Sequence, residues 1–366
     1  MYVLQHGADQ KLLRQSRPLH PTDTVNFNGF RVCYGIDVSG ATTTKASTSP
    51  ATAMKEGGIL APPETRVAAL TTTPKVGEVF TLNVGSNVTM ELMGIPPGEF
   101  MMGSTKEEQA WAVANGVSKV TVKFEGESPR KAAIKQGFWM GRTEVTAGQW
   151  KQFVKETGYL SEGEKKGESY VKEADKPYAP KKGVNWRNPD FGFEMRDDHP
   201  VSCISWNDAM AFCAWLTEHA RKAGRLPSGC KVRLPTEAEW EYACRAGTQT
   251  KFWWGDSKED GKGRLNWKGN EDGFEFVAPV DSFAGRGRNR FGLADMLGNV
   301  WEWCLDEFDA TQAHENLWRG NPGGRVVRGA EFKYDPFYSR CALRVVRDHS
   351  LSDSTIGFRV VVGVTR

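Results

Sequence analysis

The sequence lacks a charge excess of either sign and any long apolar run. Its 48 Lys and Arg residues nearly balance 45 Asp and Glu residues, for a formal net charge of +3 over 366 residues. This balance argues against nucleic-acid binding, which favours a concentrated basic patch. No apolar segment is long enough for a membrane span. No signal peptide is visible, so we expect a cytoplasmic protein by default, with a periplasmic or extracellular one left open.

Cysteine is scarce and unevenly placed. The chain has 7 cysteines, none of them in a CxxC spacing, and none lies between Cys304 and Cys341. The missing CxxC pattern argues against a zinc site. Glycine and tryptophan are abundant by contrast, with 39 and 13 residues. Their abundance favours a loop-rich domain with aromatic anchors over a helical bundle.

Composition divides the chain into three regions. Residues 1–38 end in a GFRV motif, Gly29–Val32, that recurs at Gly357–Val360. We interpret them as a strand-like tail resembling the end of a preceding domain of the same kind, with chance similarity as the alternative. Residues 39–75 are rich in Ser, Thr, Ala and Pro without apolar periodicity, which predicts a flexible linker. The main domain is expected over 76–366.

Local patterns within the main domain predict an α+β fold with little regular secondary structure. Alternating apolar and polar residues with glycine breaks over 77–104 predict two strands and a turn. Capping boxes at Thr146–Gln149 and Thr236–Glu239 mark helix starts. The longest predicted helix spans Ser205 to about Lys222 and has one apolar stripe. We therefore expect two helices packed against short twisted sheets, with much irregular loop.

The densest stretch of informative residues is FGLADMLGNVWEWCLDEF, Phe291–Phe308. Its glycines indicate a tight turn. Trp301 and Trp303 would share one side of an extended segment, and Asp295 and Glu302 flank the turn. This pattern predicts a loop built around a cation or a buried polar cluster, with a structural loop pinned by tryptophans as the alternative.

Several further motifs occur in a recognisable order. They are IPPGEFMMGS (Ile95–Ser104), TEVTAGQWKQF (Thr143–Phe153), HPVSCISWNDAMAFCAWL (His199–Leu216), RLPTEAEWEYACRAGT (Arg233–Thr248), RVVRGAEF (Arg325–Phe332) and IGFRVV (Ile356–Val361). Together with GNVWEW they resemble the formylglycine-generating enzyme family, also called the sulfatase-modifying-factor family, across about residues 80–363. The resemblance implies that family's complex, loop-rich fold, which is distantly related to C-type lectins.

The resemblance also implies one or two structural calcium ions, which prefer oxygen ligands. The first ligand set would be Asn266 and Asp272 with the carbonyls of Trp267 and Phe274, although the loop between them is shorter than usual. The second set would be Asp295 and Glu302 with the carbonyls of Gly298 and Val300. The alternative is that these acids are solvated or cap local turns.

Enzymatic activity is in doubt, because the family's oxidase holds copper(I) through two cysteines and soft thiolates suit that ion. Both lie shortly upstream of a third, structural cysteine, which corresponds to Cys341 here. No cysteine occurs between Cys304 and Cys341. We therefore expect no copper and no oxidase activity of this type. An oxidoreductase of the same family with a different metal or thiol arrangement stays open.

The region of the missing thiols would instead display a binding face. Aromatic residues mixed with single charges suit recognition of a protein or peptide partner. The alternative is that these aromatics only pack the domain. The predicted face consists of Glu331, Phe332, Lys333, Tyr334, Asp335, Phe337, Tyr338, Arg347, Asp348 and His349.

Two of the cysteines in the main domain are expected to lie close together. The family counterparts of Cys244 and Cys341 form a structural disulfide, so the resemblance implies that these two residues are neighbours. Their redox state would depend on the compartment. The counterpart of a second bridge is broken, since Cys213 is present while its partner position holds Val360.

Overall fold

The structure is a computed structural model, and it describes most of the main domain. The described residues are 73–117, 127–172, 177–269, 271–307 and 324–364. The expected tail over 1–38 and the linker, apart from its last three residues, lie outside these ranges. Among the described helices, none combines the length and apolarity that crossing a bilayer requires.

Thirteen strands in the described ranges form two larger sheets and two hairpins. The strands are β1 (Val79–Gly85), β2 (Val88–Ile95), β3 (Gly98–Met102), β4 (Arg130–Ile134), β5 (Phe138–Gly141), β6 (Glu168–Val171), β7 (Ala179–Lys182), β8 (Cys230–Arg233), β9 (Trp301–Glu307), β10 (Gly324–Arg328), β11 (Arg344–Asp348), β12 (Ile356–Gly357) and β13 (Val361–Val364). One sheet has the order β1-β2-β5-β13-β8, and the other has the order β11-β10-β9-β12. The hairpins are β3–β4 and β6–β7. The α+β, loop-rich fold is thus confirmed.

Five α-helices accompany the sheets in the described part of the chain. They are α1 (Lys106–Ala114), α2 (Ala147–Thr157), α3 (Glu162–Lys166), α4 (Trp206–Lys222) and α5 (Glu237–Arg245). Three of them begin at the predicted starts Thr146, Ser205 and Thr236, so the expected total of two helices was too low. The predicted capping boxes at Thr146 and Thr236 are both present, and Ser205 caps the long helix α4. The two additional helices are short, so their sequences contain too little periodicity to reveal them.

The prediction of two strands over 77–104 was wrong, because the segment forms β1, β2 and β3. Gly94 was interpreted as a break, yet it lies inside β2. A Cβ atom at Gly94 would lie 2.4 Å from the carbonyl oxygen of Lys75. Glycine is therefore required there by a close approach of backbone, which the sequence does not distinguish from a turn.

Tryptophan side chains join the loops to the two sheets. The indole nitrogen of Trp303 donates to the carbonyl oxygen of Ile204 at 2.8 Å, and that of Trp206 donates to the carbonyl oxygen of Cys304 at 2.9 Å. Residues 358–360 alone separate β12 in one sheet from β13 in the other. The four-stranded sheet is thereby fixed against the rest of the core and supports the site described next.

Candidate functional site

A small, largely enclosed cavity lies where the four-stranded sheet approaches the β6–β7 hairpin. Its volume is about 230 Å³. Strands β9 and β11, the loop after β10 and the turn before β12 contribute to its wall, and both ends of the hairpin connection close it. We name it the Glu331 cavity. Its lining residues are Lys172, Tyr178, Trp301, Glu331, Tyr334, Arg347, Asp353, Thr355 and Ile356.

The structure divides the ten residues of the predicted face among several places. Glu331, Tyr334 and Arg347 come together in the Glu331 cavity. Phe332 and Lys333 line a neighbouring, more open cleft of about 640 Å³. Phe332 is buried with 2% exposure, so it forms the floor of this cleft.

The other five residues of the predicted face line neither cavity. Asp335 pairs with Lys268 at 3.4 Å on the surface. Phe337 and Tyr338 pack against a small apolar cluster beside α1. Strand β11 ends at Asp348. The carbonyl oxygen of the next residue, His349, accepts a hydrogen bond from the backbone amide of Trp206 at the start of α4, at 3.0 Å. These contacts have structural roles in addition to any partner binding.

Glu331 is the most perturbed group in the cavity. The residue is 6% exposed, and its Oε2 atom has no hydrogen-bond partner among the described residues. Burial raises its pKa to about 8, and the negative charge of Asp353 adds to the shift. Lys333 and Arg347 oppose the shift without cancelling it. Glu331 is therefore mostly protonated at neutral pH and has a hydroxyl proton to donate.

Asp353 and Tyr178 form a hydrogen-bonded pair on the opposite wall. The Tyr178 hydroxyl donates to Oδ2 of Asp353. Oδ1 of Asp353 accepts from the backbone amide and the hydroxyl of Thr355 at 2.8 and 2.9 Å. Burial and the neighbouring carboxylate raise the pKa of Tyr178 far above its usual range. Both oxygens of Asp353 thus already accept hydrogen bonds, whereas Oε2 of Glu331 has no partner among the described residues.

Six of the lining residues were not among the predicted site residues. Trp301 and Ile356 lie in the motifs GNVWEW and IGFRVV, whereas Lys172, Tyr178, Asp353 and Thr355 lie in no motif. Tyr178 and Asp353 are separated by 175 positions in the chain. Lys172 and Tyr178 lie in a charged stretch that gives no motif. The serines and threonines around Asp353 resemble those of an ordinary turn. We find no local signal that could have identified these four residues.

The second predicted calcium set lies in a buried acidic cluster that contains its own cation. Glu302 accepts two hydrogen bonds from the Arg359 guanidinium, at 2.5 and 2.6 Å, and one from the Trp240 indole at 2.7 Å. Burial lowers the pKa of Arg359, but the carboxylates of Glu302, Glu144 and Asp295 outweigh this effect and raise it. Arg359 thus forms its ion pair with Glu302, while the charge of Asp295 contributes to the raised pKa of Arg359.

The positive charge of Arg359 alone does not balance the three neighbouring carboxyl groups, Glu144, Asp295 and Glu302. Burial raises the pKa of Asp295 to about 6 and that of Glu144 well above its usual range. Oε1 of Glu144 accepts from the Asn299 amide at 3.0 Å, while Oε2 has no hydrogen-bond partner in the described ranges. The cluster therefore retains buried oxygen atoms that a further positive charge would stabilise.

The first predicted calcium set is partly assembled. Asp272 accepts backbone hydrogen bonds from Trp267 at 3.0 Å and from Phe274 at 2.9 Å. Oδ1 of Asn266 is buried and lacks a hydrogen-bond partner in the part of the chain described. A Cβ atom at Gly298 would lie 2.2 Å from the carbonyl oxygen of Asn266, so the loops carrying the two sets touch.

Neither calcium set depends on a cluster of side chains alone. Over the described residues, no three His, Cys, Asp or Glu side chains are arranged to hold a metal ion. Both sets would need backbone carbonyls as well, which calcium accepts readily.

Cys244 and Cys341 lie side by side in the core, with their sulfur atoms 3.5 Å apart. Both are buried and present as free thiols. Burial raises the pKa of Cys244 well above its usual value, and the Cys341 thiol contributes to the shift. Neither thiol lines the Glu331 cavity. The remaining partner position of the broken second bridge, Val360, is a buried core residue.

Three comparisons with known proteins agree with this architecture. The family model of the sulfatase-modifying factor enzyme 1-like domain matches residues 81–364. The chain is 35% identical over 307 residues to the formylglycine-generating enzyme of Mus musculus, covering 74% of each protein. It is 28% identical to the inactive C-alpha-formylglycine-generating enzyme 2 of Bos taurus, covering 78% of this chain and 92% of that protein.

A solved structure is also similar. The structure of PvdO from Pseudomonas aeruginosa superimposes with a TM-score of 0.58 at 25% identity, covering 79% of this chain and 99% of the PvdO chain.

Proposed function

Since the chain belongs to the sulfatase-modifying factor family, we propose that it uses the family scaffold for binding or assembly and does not oxidise cysteine. The observation that carries this proposal is the absence of any cysteine between Cys304 and Cys341. A copper(I) site of the family type needs two soft thiolates there. The corresponding region instead contributes Glu331, Tyr334 and Arg347 to a cavity. A relative with the word inactive in its name also supports the proposal.

The proposed partner is a protein or a peptide that binds around residues 331–349. The 640 Å³ cleft beside the Glu331 cavity is lined by Phe191, Phe276 and Phe332 and by charged side chains. Buried aromatic residues surrounded by polar residues are typical of binding hot spots. Tyr178, at the edge of the Glu331 cavity, is 44% exposed. Cleft and cavity together provide an apolar floor and a polar end for an extended segment.

Mass spectrometry tests the loss of activity. The purified protein is incubated with copper and a cysteine-containing peptide of the sulfatase type, and the peptide mass is followed. We expect no aldehyde product above a control without protein. Aldehyde formation would overturn the proposal.

The binding role is tested by hydrogen exchange of the complex with a co-purified partner, where protection should concentrate on 331–349.

We also propose that calcium stabilises the loops at 266–274 and 295–302. In the first set, Oδ1 of Asn266 is a buried oxygen without a hydrogen-bond partner in the described ranges, while both oxygens of Asp272 accept backbone hydrogen bonds. In the second set, the pKa of Asp295 is raised, as is that of the neighbouring Glu144, so an added positive charge would stabilise both carboxylates. Both oxygens of Glu302, however, already accept hydrogen bonds. Such an ion would hold loops together and supply no redox chemistry.

A second candidate function is an oxidoreductase with a different arrangement of reactive groups. One observation favours it: Glu331 is a carboxyl group with a strongly raised pKa inside a cavity, which is common at catalytic sites. Metal analysis of the purified protein separates the two functions. A stoichiometric redox metal would favour the oxidoreductase, whereas calcium alone would favour the binding subunit.

A further inference from the structure

We propose that the Glu331 cavity binds a carboxylate group, which in the proposed function is an acidic side chain or the C-terminal carboxylate of the partner peptide. This inference rests on the proposed function for its source of ligand, but the cavity chemistry can be tested without the partner. Three features of the cavity favour a carboxylate: the hydrogen-bonding groups of its wall, its charged side chains and its size.

The cavity wall presents mainly hydrogen-bond donors to its interior. Arg347 lines the cavity, and its guanidinium nitrogen Nη1 donates a hydrogen bond to the carbonyl oxygen of Val346 at 2.9 Å. A guanidinium group has five N–H donors, so it retains capacity for a ligand. Glu331 is mostly protonated at neutral pH and adds a carboxylic O–H. The nearby acceptors belong to Asp353, which already accepts from Tyr178 and Thr355.

The charge balance also favours an anion. Two cationic side chains, Lys172 and Arg347, line the cavity beside the two carboxyl groups of Glu331 and Asp353. Glu331 contributes no charge while it is protonated. A carboxylate would therefore receive charge-assisted hydrogen bonds, which are the stronger kind.

The size of the cavity selects a small group. A volume of about 230 Å³ holds one amino-acid side chain but not a folded element. Trp301 and Tyr334 supply aromatic walls that can cover the aliphatic part of such a side chain, with ring centroids 6.0 Å apart. The cavity therefore matches a carboxylate at the end of a short stem.

Binding should depend on pH through Glu331. Its charged and polar neighbours are Asp353, Lys333, Arg347 and Thr355, and they leave its pKa at about 8. The pKa of Tyr334 is raised by burial, and by Glu331, to about 12, so this hydroxyl stays neutral over the same range. Above pH 8, Glu331 loses its proton, and two carboxylates would then repel each other. Affinity should fall by roughly tenfold per pH unit above that value.

Isothermal titration with three matched probes tests the inference. N-acetylglutamate α-amide carries only a side-chain carboxylate, N-acetylglutamine carries only a terminal one, and N-acetylglutamine α-amide carries neither. At pH 6.5 we expect one of the first two to bind, and the third to bind at least about tenfold more weakly, as loss of a charged hydrogen-bond partner requires. The probe that binds identifies the source of the carboxylate.

Two variants and one control connect the binding to named residues. Arg347→Gln should weaken the carboxylate probe by roughly ten- to hundredfold. Arg325→Gln is the matched control, because Arg325 is the residue opposite Arg347 in the β10–β11 pair and does not line the cavity. Glu331→Gln keeps a donor but cannot titrate, so its affinity should stay constant from pH 6.5 to 9. Melting curves verify that each variant is folded.

Equal binding of the uncharged amide, an unaffected Arg347→Gln variant, or the same pH dependence in Glu331→Gln would each overturn the inference. So would the absence of binding by both carboxylate probes at pH 6.5. These results are distinguishable from failure of the proposed function. That failure would appear as aldehyde product in the peptide assay, irrespective of how the probes behave.

Discussion

The carboxylate of Glu302 and the guanidinium of Arg359 form a bidentate ion pair in the core, with neither side chain exposed to solvent. Arg359 also donates to the carbonyl oxygens of Gly141 and Ala294 at 3.1 Å. The pair therefore connects β9, the turn before β9 and the end of β5. A pair of this kind makes each partner costly to remove alone, because the remaining charge would be buried without compensation.

Neutralising one member of this pair should destabilise the protein strongly. We expect Glu302→Gln to lower the free energy of unfolding by about 3–5 kcal/mol, since Arg359 would keep its charge without its principal partner. Urea denaturation measures the change. The control is Glu218→Gln in the exposed Glu218–Arg221 pair, where the carboxylate is 61% exposed. The control substitution should lower the free energy of unfolding by less than about 1 kcal/mol. Equal losses of unfolding free energy in the two variants would contradict the prediction.

Removing calcium should lower the melting temperature. An ion that binds only the folded state stabilises it by mass action, so excess chelator should shift the thermal transition downward. Asp272→Asn should reduce the shift, because Asp272 belongs to the first ligand set. Asp256→Asn, in an exposed pair with Lys251, should leave the shift unchanged. A melting curve that chelator does not move would argue for loops held by hydrogen bonds alone.

The thiols of Cys244 and Cys341 should react slowly in the native protein. Both are buried, and burial raises the pKa of Cys244, so little thiolate is available for alkylation. Cys230 is half-buried and serves as the internal control, which should be alkylated first. In an oxidising compartment the pair could form a disulfide that closes a long loop, stabilising by roughly 4 kcal/mol in the chain-entropy model. Peptide mapping of alkylated native protein measures the order of reaction.

Glu331 should make stability fall as pH rises. Its folded pKa of about 8 lies above its unfolded value of about 4.5. The stabilising contribution is therefore fully present below pH 4.5 and is lost as pH rises toward 8. Between these values the slope from this group approaches about 1.4 kcal/mol per pH unit. Urea denaturation at pH 5, 6.5 and 8 should show a smaller slope for Glu331→Gln than for the wild type, whereas Glu218→Gln should retain the wild-type slope.

Local signals in the sequence predicted local structure well. The capping boxes at Thr146 and Thr236 each lie within four residues, so the side chain and the amide that it caps are neighbours in the chain. Such contacts need no knowledge of the fold. The family motifs extended this success to the whole domain, because their order specifies a scaffold whose long-range pairing is already known.

The chemistry of the site was less predictable, because its partners come from distant positions. Glu302, a predicted calcium ligand beside a glycine turn, has its main hydrogen-bond partner 57 residues away, at Arg359. The raised pKa of Glu331 depends on burial, which is a property of the folded protein. No pattern in the local sequence reports either the depth of a side chain or the charge across a cavity from it.

The position of β13 has a consequence for how the chain is synthesised. This strand, Val361–Val364, lies between β5 and β8 in the five-stranded sheet, although its two neighbours come from much earlier in the chain. A ribosome therefore releases β5 and β8 long before the strand that joins them exists. Until then, both present unpaired backbone edges that favour aggregation. We expect nascent chains that end before Val361 to require a chaperone, and premature termination near the 3′ end of the message to yield insoluble protein.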